Sequence, residues 1–512
     1  MLHTRIMKMR FNFLIYTAIA ATLLIQSCDK GFEEMNVNPD ASSSAVPEYM
    51  FSKALLDALN NSWFATDALA CGGSMQQFAT YKDVPGIGDK YYFQQGTYPY
   101  DYFTTGFPGA VNEIATVINA LDSSEVNELS ISRIWRVFIM HRITDLYGDI
   151  PYSEAAQGYT TNNFTPSYDA QKDIYADMLN ELDEAAQALD ASKTTFGAGD
   201  YIYEGDVTKW KKFAYSLMLR LGMRMSKIDA TSAQTWVQKA IAGGVITDDA
   251  DIATMKYTDG TSLNRNPRAA ALLSNDYAVA DGTSNTEGGK LARTFINLLK
   301  DNNDPRLNVI AIVWKDGKAD TSTALQFGMP NGLLLKPDSF VYYSEPNPST
   351  ILQYTAPIIV MSAAEVNLYL AEAAVRGWYS GDAATTFSAA IGASMRNWAE
   401  FGTAGVIAES KITAYQAAHT LTGTTAQQLE MIGNEYYVSM FLDEQEIHAN
   451  WRRLGYPALT PVNISGNITG GTIPRRLLYP PSEESVNAAS LQEAIDRQGA
   501  NLMTTRIWWD KE

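Results

Sequence analysis

Hydrophobic side chains recur every three or four residues along several stretches of the chain, the spacing that places them on one face of an α-helix. One such stripe occupies residues 135–146 and stops before Gly148, a second occupies 174–189, and a third occupies 210–225. Trp, Phe, Leu, Ile and Met residues form these stripes. The pattern predicts a packed helix in each segment and a mostly helical, all-α fold.

A pair of helices joined by a short turn is indicated later in the chain. Ser362 is followed three residues on by Glu365, the spacing of a capping box, in which both side chains bond exposed amides at a helix start. That helix is predicted to end at Arg376, after which residues 377–382 turn the chain. Asp382 is suited to cap the next helix, which carries its own apolar stripe. The pair resembles a tetratricopeptide unit in architecture, although the full repeat signature is absent.

Two long stretches lack the helical period. Residues 78–108 and 255–360 are rich in Gly, Pro, Asn, Asp, Tyr and Thr, and they are too long to be simple connectors. Long loops on a rigid scaffold are where binding residues usually lie. A final long helix is predicted from about Thr425 to Trp451. The chain is therefore expected to be a helical scaffold with long irregular, partly β, loop insertions.

The N-terminus has the pattern of an export signal. Basic residues precede an uncharged run at 11–25, which is too short to span a bilayer but suits a signal-peptide core. The run ends in Ile-Gln-Ser-Cys at 25–28, which resembles a bacterial lipobox. Several acyl chains on Cys28 would anchor the protein durably. We predict a signal peptide at 1–27 and a lipidated polar tether at 28–45, with ordinary secretion without lipid as the alternative.

Composition narrows the function classes. The formal net charge is −18, which disfavours nucleic-acid binding because phosphate contacts need clustered Lys and Arg. The chain has two cysteines, so acylation of Cys28 leaves no intramolecular disulfide and packing must supply the stability. Its 28 tyrosines are more than a core ordinarily uses. Many aromatic rings are therefore expected at a surface, where they can stack on a ligand.

A series of sequence blocks resembles the SusD/RagB family of nutrient-binding outer-membrane lipoproteins, in particular its starch-binding-associated group. Each block alone is modest, but their order along nearly the whole mature chain, together with the lipobox, is specific. The blocks are NVNPDA at 36–41, DLYGDIPYSEA at 145–155, GDVTKWKKFAYSLMLRLGMRMS at 205–226, NDPRL at 303–307, MSAAEVNLYLAEAAVRGW at 361–378, DEQEIHANWRRLGYPAL at 443–459, PRRLLYPPSEES at 474–485 and TRIWWDK at 505–511.

The resemblance implies a single SusD-like helical domain over residues 46–512, built on tetratricopeptide-like helix pairs. It also implies a lipoprotein displayed on the outer membrane at the cell surface, which delivers a glycan or oligosaccharide to a TonB-dependent transporter of the SusC type. Some members bind peptides, so a peptide ligand stays open. The family's role is binding, and the resemblance implies neither a catalytic residue nor a cofactor.

Two other functions stay open from the residues alone, a secreted α-helical glycosidase and a protein-binding scaffold. Asp145 and Asp149 lie four residues apart and could form the carboxylate pair of a glycosidase. The intervening Gly148 and the following Pro151 break the helix, however. The two aspartates are therefore expected to tie a turn rather than to catalyse.

Metal sites are also weakly indicated. Glu444 and His448 are four residues apart and could face one metal ion, but no HExxH motif is present. A salt network with the arginines that follow is the favoured interpretation. An oxygen-ligand calcium site near Asp301 and Asp304 stays open, although the two aspartates lack the spacing of an EF-hand. We predict no metal site.

The sequence motifs of a serine hydrolase and of phosphate or nucleotide binding are absent. The chain carries no GxSxG sequence, no P-loop and no dinucleotide fingerprint. One predicted helix carries a basic cluster, which is interpreted as a solvated face. The cluster consists of Lys209, Lys211, Lys212, Arg220 and Arg224.

The aromatic residues of the two irregular stretches are the candidate ligand contacts. A sugar ring presents C–H bonds that stack on a flat aromatic face without needing charge or cofactor. The candidates are Tyr81, Tyr91, Tyr92, Tyr98, Tyr102, Trp314, Tyr342 and Tyr343. Some of these rings are expected to lie in the core or against the transporter instead.

Overall fold

Helices make up most of the described chain, as the hydrophobic period predicts. The structure is a computed structural model that describes residues 46–82, 87–92, 98–279 and 283–512. Cys28, with the predicted signal peptide and tether, lies outside these residues. Residues Pro47–Glu512 form one compact unit.

The α-helices are numbered in chain order. They are α1 Pro47–Asn60, α2 Ile87–Lys90, α3 Asp101–Gly106, α4 Asn112–Ala120, α5 Val126–Tyr147, α6 Gly158–Thr161, α7 Gln171–Ala188, α8 Val207–Arg224, α9 Ala230–Gly243, α10 Pro267–Ser274, α11 Arg293–Asp301, α12 Leu307–Ile310, α13 Ala363–Val375, α14 Ala383–Arg396, α15 Glu409–Ala418, α16 Thr425–Ser439, α17 Glu444–Leu454, α18 Pro481–Val486 and α19 Ala488–Gln498. Two π-helical segments lie at Phe64–Gly72 and Phe107–Val111.

Small antiparallel sheets interrupt the helical scaffold. The strands are β1 Phe78–Thr80, β2 Ile150–Pro151, β3 Tyr168–Asp169, β4 Ala253–Met255, β5 Gly289–Leu291, β6 Ala311–Lys315, β7 Lys318–Asp320, β8 Glu345–Pro346 and β9 Ile358–Met361. β1 pairs with β5, β2 with β3, and β4 with β9, while β6 lies between β7 and β8. Most of these strands belong to the two stretches without helical period, so the partly β insertions are confirmed.

The predicted helical stripes coincide with α5, α7 and α8. The longest of them, α5, ends at Gly148, whose φ of 85° lies in the left-handed region that glycine adopts at low cost. Asp206 caps α8 by accepting hydrogen bonds from the backbone amides of Thr208 and Lys209. The buried rings of Trp135 and Trp210 then pack edge to face, with centroids 6.4 Å apart. These contacts place the core between the helices.

Successive helices pack side by side. α7 packs on α5 and α8, α8 on α9, and α13 on α14. The α13–α14 pair is the one that the sequence predicts, with the turn at 377–382 between the two helices. Asp382 caps α14 by accepting from the amide of Thr385 at 2.7 Å. The tetratricopeptide-like architecture is therefore confirmed for this pair.

The predicted capping box of α13 is wrong. Ser362 occupies the N-cap position but makes no capping hydrogen bond. Glu365 is turned away from the helix start and accepts two hydrogen bonds from Arg220, at 2.8 and 2.7 Å. A buried guanidinium from another helix competes for the carboxylate more strongly than a backbone amide does.

The predicted final helix from Thr425 to Trp451 is two helices. α16 ends at Ser439 and α17 begins at Glu444, with Leu442 between them at a φ of 80°. Arg142 donates to both oxygens of Asp443 at the start of α17. The hydrophobic period continues on both sides of this turn, so the period alone does not reveal the break.

The basic cluster on α8 is not a single solvated face. Arg220 and Arg224 are fully buried, whereas Lys209, Lys211 and Lys212 retain access to solvent. Lysine ammonium groups reach solvent on flexible stems, while arginine can satisfy a buried carboxylate with a planar fork of donors. The prediction is therefore wrong for the two arginines.

The two buried arginines join a network of charges inside the scaffold. Arg220 lies 2.7 Å from Glu365 of α13 and 3.5 Å from Glu446 of α17, and Arg224 lies 3.1 Å from Asp145 of α5. All five side chains are almost completely excluded from solvent. Removing one member of such a pair typically costs about 3–5 kcal/mol, because the remaining charge is stranded. The network therefore holds four helices in one arrangement.

Within the described part of the chain, no helix combines the length and the apolar character needed to cross a membrane.

Candidate functional site

The irregular stretch 255–360 forms a recess of about 250 Å³ beside β6. The wall contains apolar and aromatic residues together with several polar side chains. The lining residues are Asp259, Leu273, Val279, Trp314, Pro348, Leu352, Gln353, Tyr354 and Thr355. Of the predicted candidates, Trp314 is the one found in this wall.

Trp314 is held firmly by the small sheet. It lies in β6, where its backbone pairs with Ala319 of β7. Its indole Nε1 donates to Glu345 Oε2 at 3.2 Å. The other oxygen of Glu345 accepts from the amide of Asn285 at 2.9 Å and from the buried Lys290 ammonium. The ring is thus fixed before any ligand arrives, which lowers the entropy cost of stacking on it.

Tyr354 is the second aromatic residue of the recess. The Arg265 guanidinium lies over its ring, 4.4 Å from the centroid, and pairs with Asp259 at 3.0 Å. Gln353 and Thr355 flank the tyrosine and are exposed. Two aromatic rings with an adjacent carboxylate, amide and hydroxyl can stack on a pyranose and bond its hydroxyl groups.

Two of the other candidates, Tyr81 and Tyr343, pack elsewhere around Phe340, and Tyr342 is their exposed neighbour in the chain. The Tyr81 ring packs edge to face on Phe340 with centroids 5.2 Å apart. Tyr343 accepts a hydrogen bond from Ser339 Oγ at 3.0 Å, and Tyr342 is 69 % exposed. None of the three tyrosines contributes to the wall of the Trp314 recess.

Tyr91 does not suit its predicted role as a ligand contact. Its side chain is 1 % exposed, and its hydroxyl oxygen accepts from the amide of Val462 at 3.2 Å. Burial raises the pKa of Tyr91 to about 12. Tyr92 retains some exposure and donates to the carbonyl of Ser465 at 2.5 Å. The two tyrosines hold the 462–468 loop in place.

Tyr102 does not suit its predicted role as a ligand contact either. It is 3 % exposed and lies beside the Arg142 guanidinium, and burial raises the pKa of its phenol. Tyr98 is half-buried and packs against the main core. Hydrophobic side chains of a short helix are drawn inward when the helix covers the core, and α3 does this with Tyr102 and Phe103. The buried face of Tyr102 is closed to a ligand.

The two aspartates of the 145–149 segment are structural. Asp145 accepts from Trp509 Nε1 at 2.8 Å and from the Tyr175 hydroxyl. Asp149 accepts from the amide of Gln171 and from Arg497 Nε, both at 2.9 Å. Every one of these bonds ties segments of the scaffold together, as expected for a turn-fixing pair.

Glu444 and His448 do not meet at one point. His448 Nε2 donates a hydrogen bond to the carbonyl of Pro474 at 2.8 Å, and burial lowers the pKa of the imidazole well below the usual range. Glu444 is fully buried near Asp67, and burial raises its pKa to about 8. Among the described residues, no group of three or more His, Cys, Asp and Glu side chains is arranged to hold a metal ion.

Comparison with known families decides the identity. A family model described as "Starch-binding associating with outer membrane" matches residues 39–480, which include the Trp314 recess and the buried charge network. The chain belongs to the SusD-like family. Comparison with curated proteins finds no match. The SusD-like family is a family of outer-membrane nutrient-binding proteins without catalytic activity, and that character applies to this chain.

Solved structures agree with this assignment. A chitin-binding protein is 28 % identical, with a TM-score of 0.80 over 91 % of this chain and 100 % of its own. A SusD-like protein of Bacteroidetes AC2a is 25 % identical with a TM-score of 0.79, and a SusD homologue of Bacteroides uniformis is 25 % identical with a TM-score of 0.74. Both matches cover 91 % of this chain and all of the other. The SusD-like fold predicted from sequence is confirmed.

Sequence reasoning missed most of the recess in this SusD-like chain. Tyr354 was open to prediction, because it is an aromatic residue of the same irregular stretch as Trp314. Asp259, Gln353 and Thr355 carry no such signal, since polar residues are common in every loop. They become recognisable only when the fold brings 259 and 353–355 against β6.

Proposed function

We propose that this protein captures a glycan in the Trp314 recess at the cell surface and delivers it to a TonB-dependent transporter of the SusC type. The recess carries the proposal, because it places Trp314, on the strand β6, and the ring of Tyr354 beside polar side chains. Neutral sugars need this combination of apolar stacking and hydroxyl recognition. Family membership supports binding rather than turnover of the ligand.

Chito-oligosaccharides are the first ligands to test. A protein that is 28 % identical to this chain is described as chitin-binding. The N-acetyl group of such a sugar offers both an amide and a methyl group, which suit a wall that contains Gln353, Thr355 and Leu352. Starch-derived and other neutral oligosaccharides form the comparison panel, and a peptide library covers the peptide alternative.

Tyr354→Ala is the decisive variant, with Tyr201→Ala as a matched control on an exposed tyrosine outside the recess. Calorimetric titration of the purified protein is expected to give about tenfold weaker glycan binding for Tyr354→Ala, since one stacking ring is lost. The control should bind as the unaltered protein does. Equal affinity for both variants, or binding confined to peptides, would contradict the proposal.

Two features support a transporter as the partner of this protein: the predicted lipid anchor and a set of exposed apolar side chains. A protein tethered by acyl chains on Cys28 has no means of its own to move solute across the membrane. The segment 327–342 exposes four large hydrophobic side chains, which are Phe327, Leu334, Leu335 and Tyr342. Exposed apolar residues of this size favour a protein contact, and stable contacts bury more than about 1,000 Å².

A further inference from the structure

A second recess, of about 520 Å³, is formed by the start of α7, the end of α19 and residues 506–512. None of its residues belongs to the predicted ligand contacts. The C-terminal TRIWWDK block at 505–511 provides much of its wall. The recess is more than large enough for a sugar unit, and its lining differs from that of the Trp314 recess in carrying several charges.

Cationic groups predominate in this lining although the whole chain has a net charge of −18. The four cationic side chains are Lys172, Arg497, Arg506 and Lys511, and the three carboxylate side chains are Asp149, Asp510 and Glu512. Each of the three carboxylates is paired with an arginine. The ammonium groups of Lys172 and Lys511 are exposed and form no ion pair within the described part of the chain.

Arg497 of α19 is held in place by two hydrogen bonds, and one of its nitrogens remains available as a donor. Arg497 Nε donates to Asp149 Oδ2 at 2.9 Å, and Nη2 donates to the carbonyl of Tyr168 at 2.7 Å. These two bonds fix the plane of the guanidinium, while its side chain stays 40 % exposed. Nη1 is not used by a protein partner in the described structure. A fixed, partly exposed guanidinium is well suited to bind an anionic oxygen.

Trp508 supplies a flat surface in the same wall. Its neighbours Ile507 and Trp509 are buried, so the backbone on either side is anchored. Its own ring is half-buried and packs on Tyr175, with centroids 5.6 Å apart and an interplanar angle of 61°. A ring held at one edge and open on the other side can stack on the C–H face of a pyranose.

The surroundings of the recess strengthen its positive potential. Asp510 is fully buried, and both of its oxygens are occupied by Arg475. The nearby Lys227 donates to the carbonyl of Lys511 at 3.4 Å. Burial lowers the pKa of Lys227, and the charges of Arg453 and of other arginines lower it further. With Lys227 and Arg475 included, cationic side chains around the recess outnumber carboxylate side chains.

We propose that this recess binds an acidic saccharide, with its pyranose ring against Trp508 and its carboxylate or sulfate on Lys172 and Lys511. Arg497 contributes the further donor. A free inorganic anion would leave most of the 520 Å³ and the tryptophan face unused. The site is separate from the Trp314 recess, so it extends the range of the protein beyond neutral glycans.

The test compares oligogalacturonate with its methyl ester, which keeps the sugar but removes the charge, and with a sulfated galactan oligomer. Titration uses the full-length lipoprotein in mild detergent at low and at moderate salt. We expect binding of an anionic probe that weakens with salt, whereas any binding of the methyl ester should be independent of Lys172 and Lys511. The double variant Lys172→Gln/Lys511→Gln should bind about tenfold more weakly. The tighter of the two anionic probes identifies the preferred anion.

The matched control is Lys193→Gln/Lys318→Gln, which removes the same charge from exposed lysines outside the recess. It should bind as the unaltered protein does. Equal weakening in both double variants would mean non-specific attraction, and no binding of either anionic probe would also overturn the proposal. Tyr354→Ala separates the two recesses, because it should weaken neutral glycans while the acidic probe still binds.

Discussion

Glu444 illustrates how burial alone changes the chemistry of one residue. Its side chain is fully excluded from solvent, and no ion pair is formed with it within the described residues. Burial raises its pKa to about 8, and the charge of Asp67 acts in the same direction. Because the ordinary pKa is 4.5, the folded protein keeps a proton that the unfolded chain releases between about pH 4.5 and 8. Folding stability therefore falls as the pH rises through that window.

The first prediction concerns Glu444→Gln, which removes this titration. The stability of the variant relative to the unaltered protein should rise by about 1 kcal/mol per pH unit between pH 5 and pH 8, because only the unaltered protein loses stability there. Urea unfolding at pH 5.5 and 7.5 measures the difference. Glu484→Gln, at an exposed carboxylate, is the control and should show no such trend. A pH-independent difference for Glu444→Gln would contradict the assigned protonation.

Glu446 is the opposite case on the same helix. Burial acts to raise its pKa, but the charges of Arg220 and Arg224 outweigh burial and hold the pKa well below 4.5. Its contribution to stability is therefore present above about pH 4.5 and is lost as the pH falls below that value.

The second prediction follows from this pairing. Glu446→Gln should destabilise the protein by about 3–5 kcal/mol at pH 7, because Arg220 and Arg224 keep their charges but lose their shared partner. Urea unfolding measures the loss, and Glu430→Gln on the exposed face of α16 is the control. A loss of less than about 1 kcal/mol would show that water or another carboxylate compensates.

At the scale of elements, sequence pattern predicts where helices lie better than it predicts how they end. Asp382 was correctly predicted as a cap because its partner amide is only three residues away. The role of Glu365 was not predictable, because its true partner Arg220 is 145 residues distant. The break at Leu442 was missed for the same reason. Arg142 and Arg268 hold that turn from other helices.

The third prediction compares the two helix starts of the α13–α14 pair. Asp382→Ala should lower the unfolding midpoint, because the side chain accepts a hydrogen bond from an otherwise exposed amide. Ser362→Ala should cost much less, since Ser362 makes no capping bond. Thermal and urea unfolding of the two variants supply the measurement. A larger loss for Ser362→Ala would argue that the capping box forms after all.

At the scale of the whole molecule, the helical scaffold and the family were predictable, and the site was predictable only in part. Trp314 was identified because an aromatic residue in a long irregular stretch is conspicuous. Tyr91 and Tyr102 looked the same in sequence, yet folding buries them. Exposure depends on which segment covers a residue, and in this chain the 462–468 loop covers Tyr91. Local pattern carries no such information.

The fourth prediction tests the anchor. Cys28→Ala should release the protein from the membrane fraction, because acyl chains on Cys28 are the proposed attachment. The circular dichroism spectrum and the unfolding midpoint of the released protein should match those of the anchored protein, since the tether precedes the compact unit Pro47–Glu512. Retention of the variant in membranes after a high-salt wash would count against lipid anchoring.

The fifth prediction tests the transporter contact. Leu335 is 82 % exposed, so Leu335→Asp should fold normally and yet reduce recovery of a TonB-dependent transporter in mild-detergent pull-downs. Leu502→Asp places the same change at an exposed leucine of another segment and serves as the control. Recovery of the unaltered lipoprotein without a transporter would contradict the proposed partnership.

The buried charge network also has a consequence for how such a protein can evolve. A single substitution at Arg220, Arg224 or Glu446 strands an opposite charge in the interior, so descendants can change these positions only together. Asp259, Gln353 and Thr355 of the Trp314 recess carry no comparable constraint, because these side chains are exposed. Under the proposed function, lineages can therefore exchange one nutrient for another by altering a few loop residues while inheriting the interior unchanged.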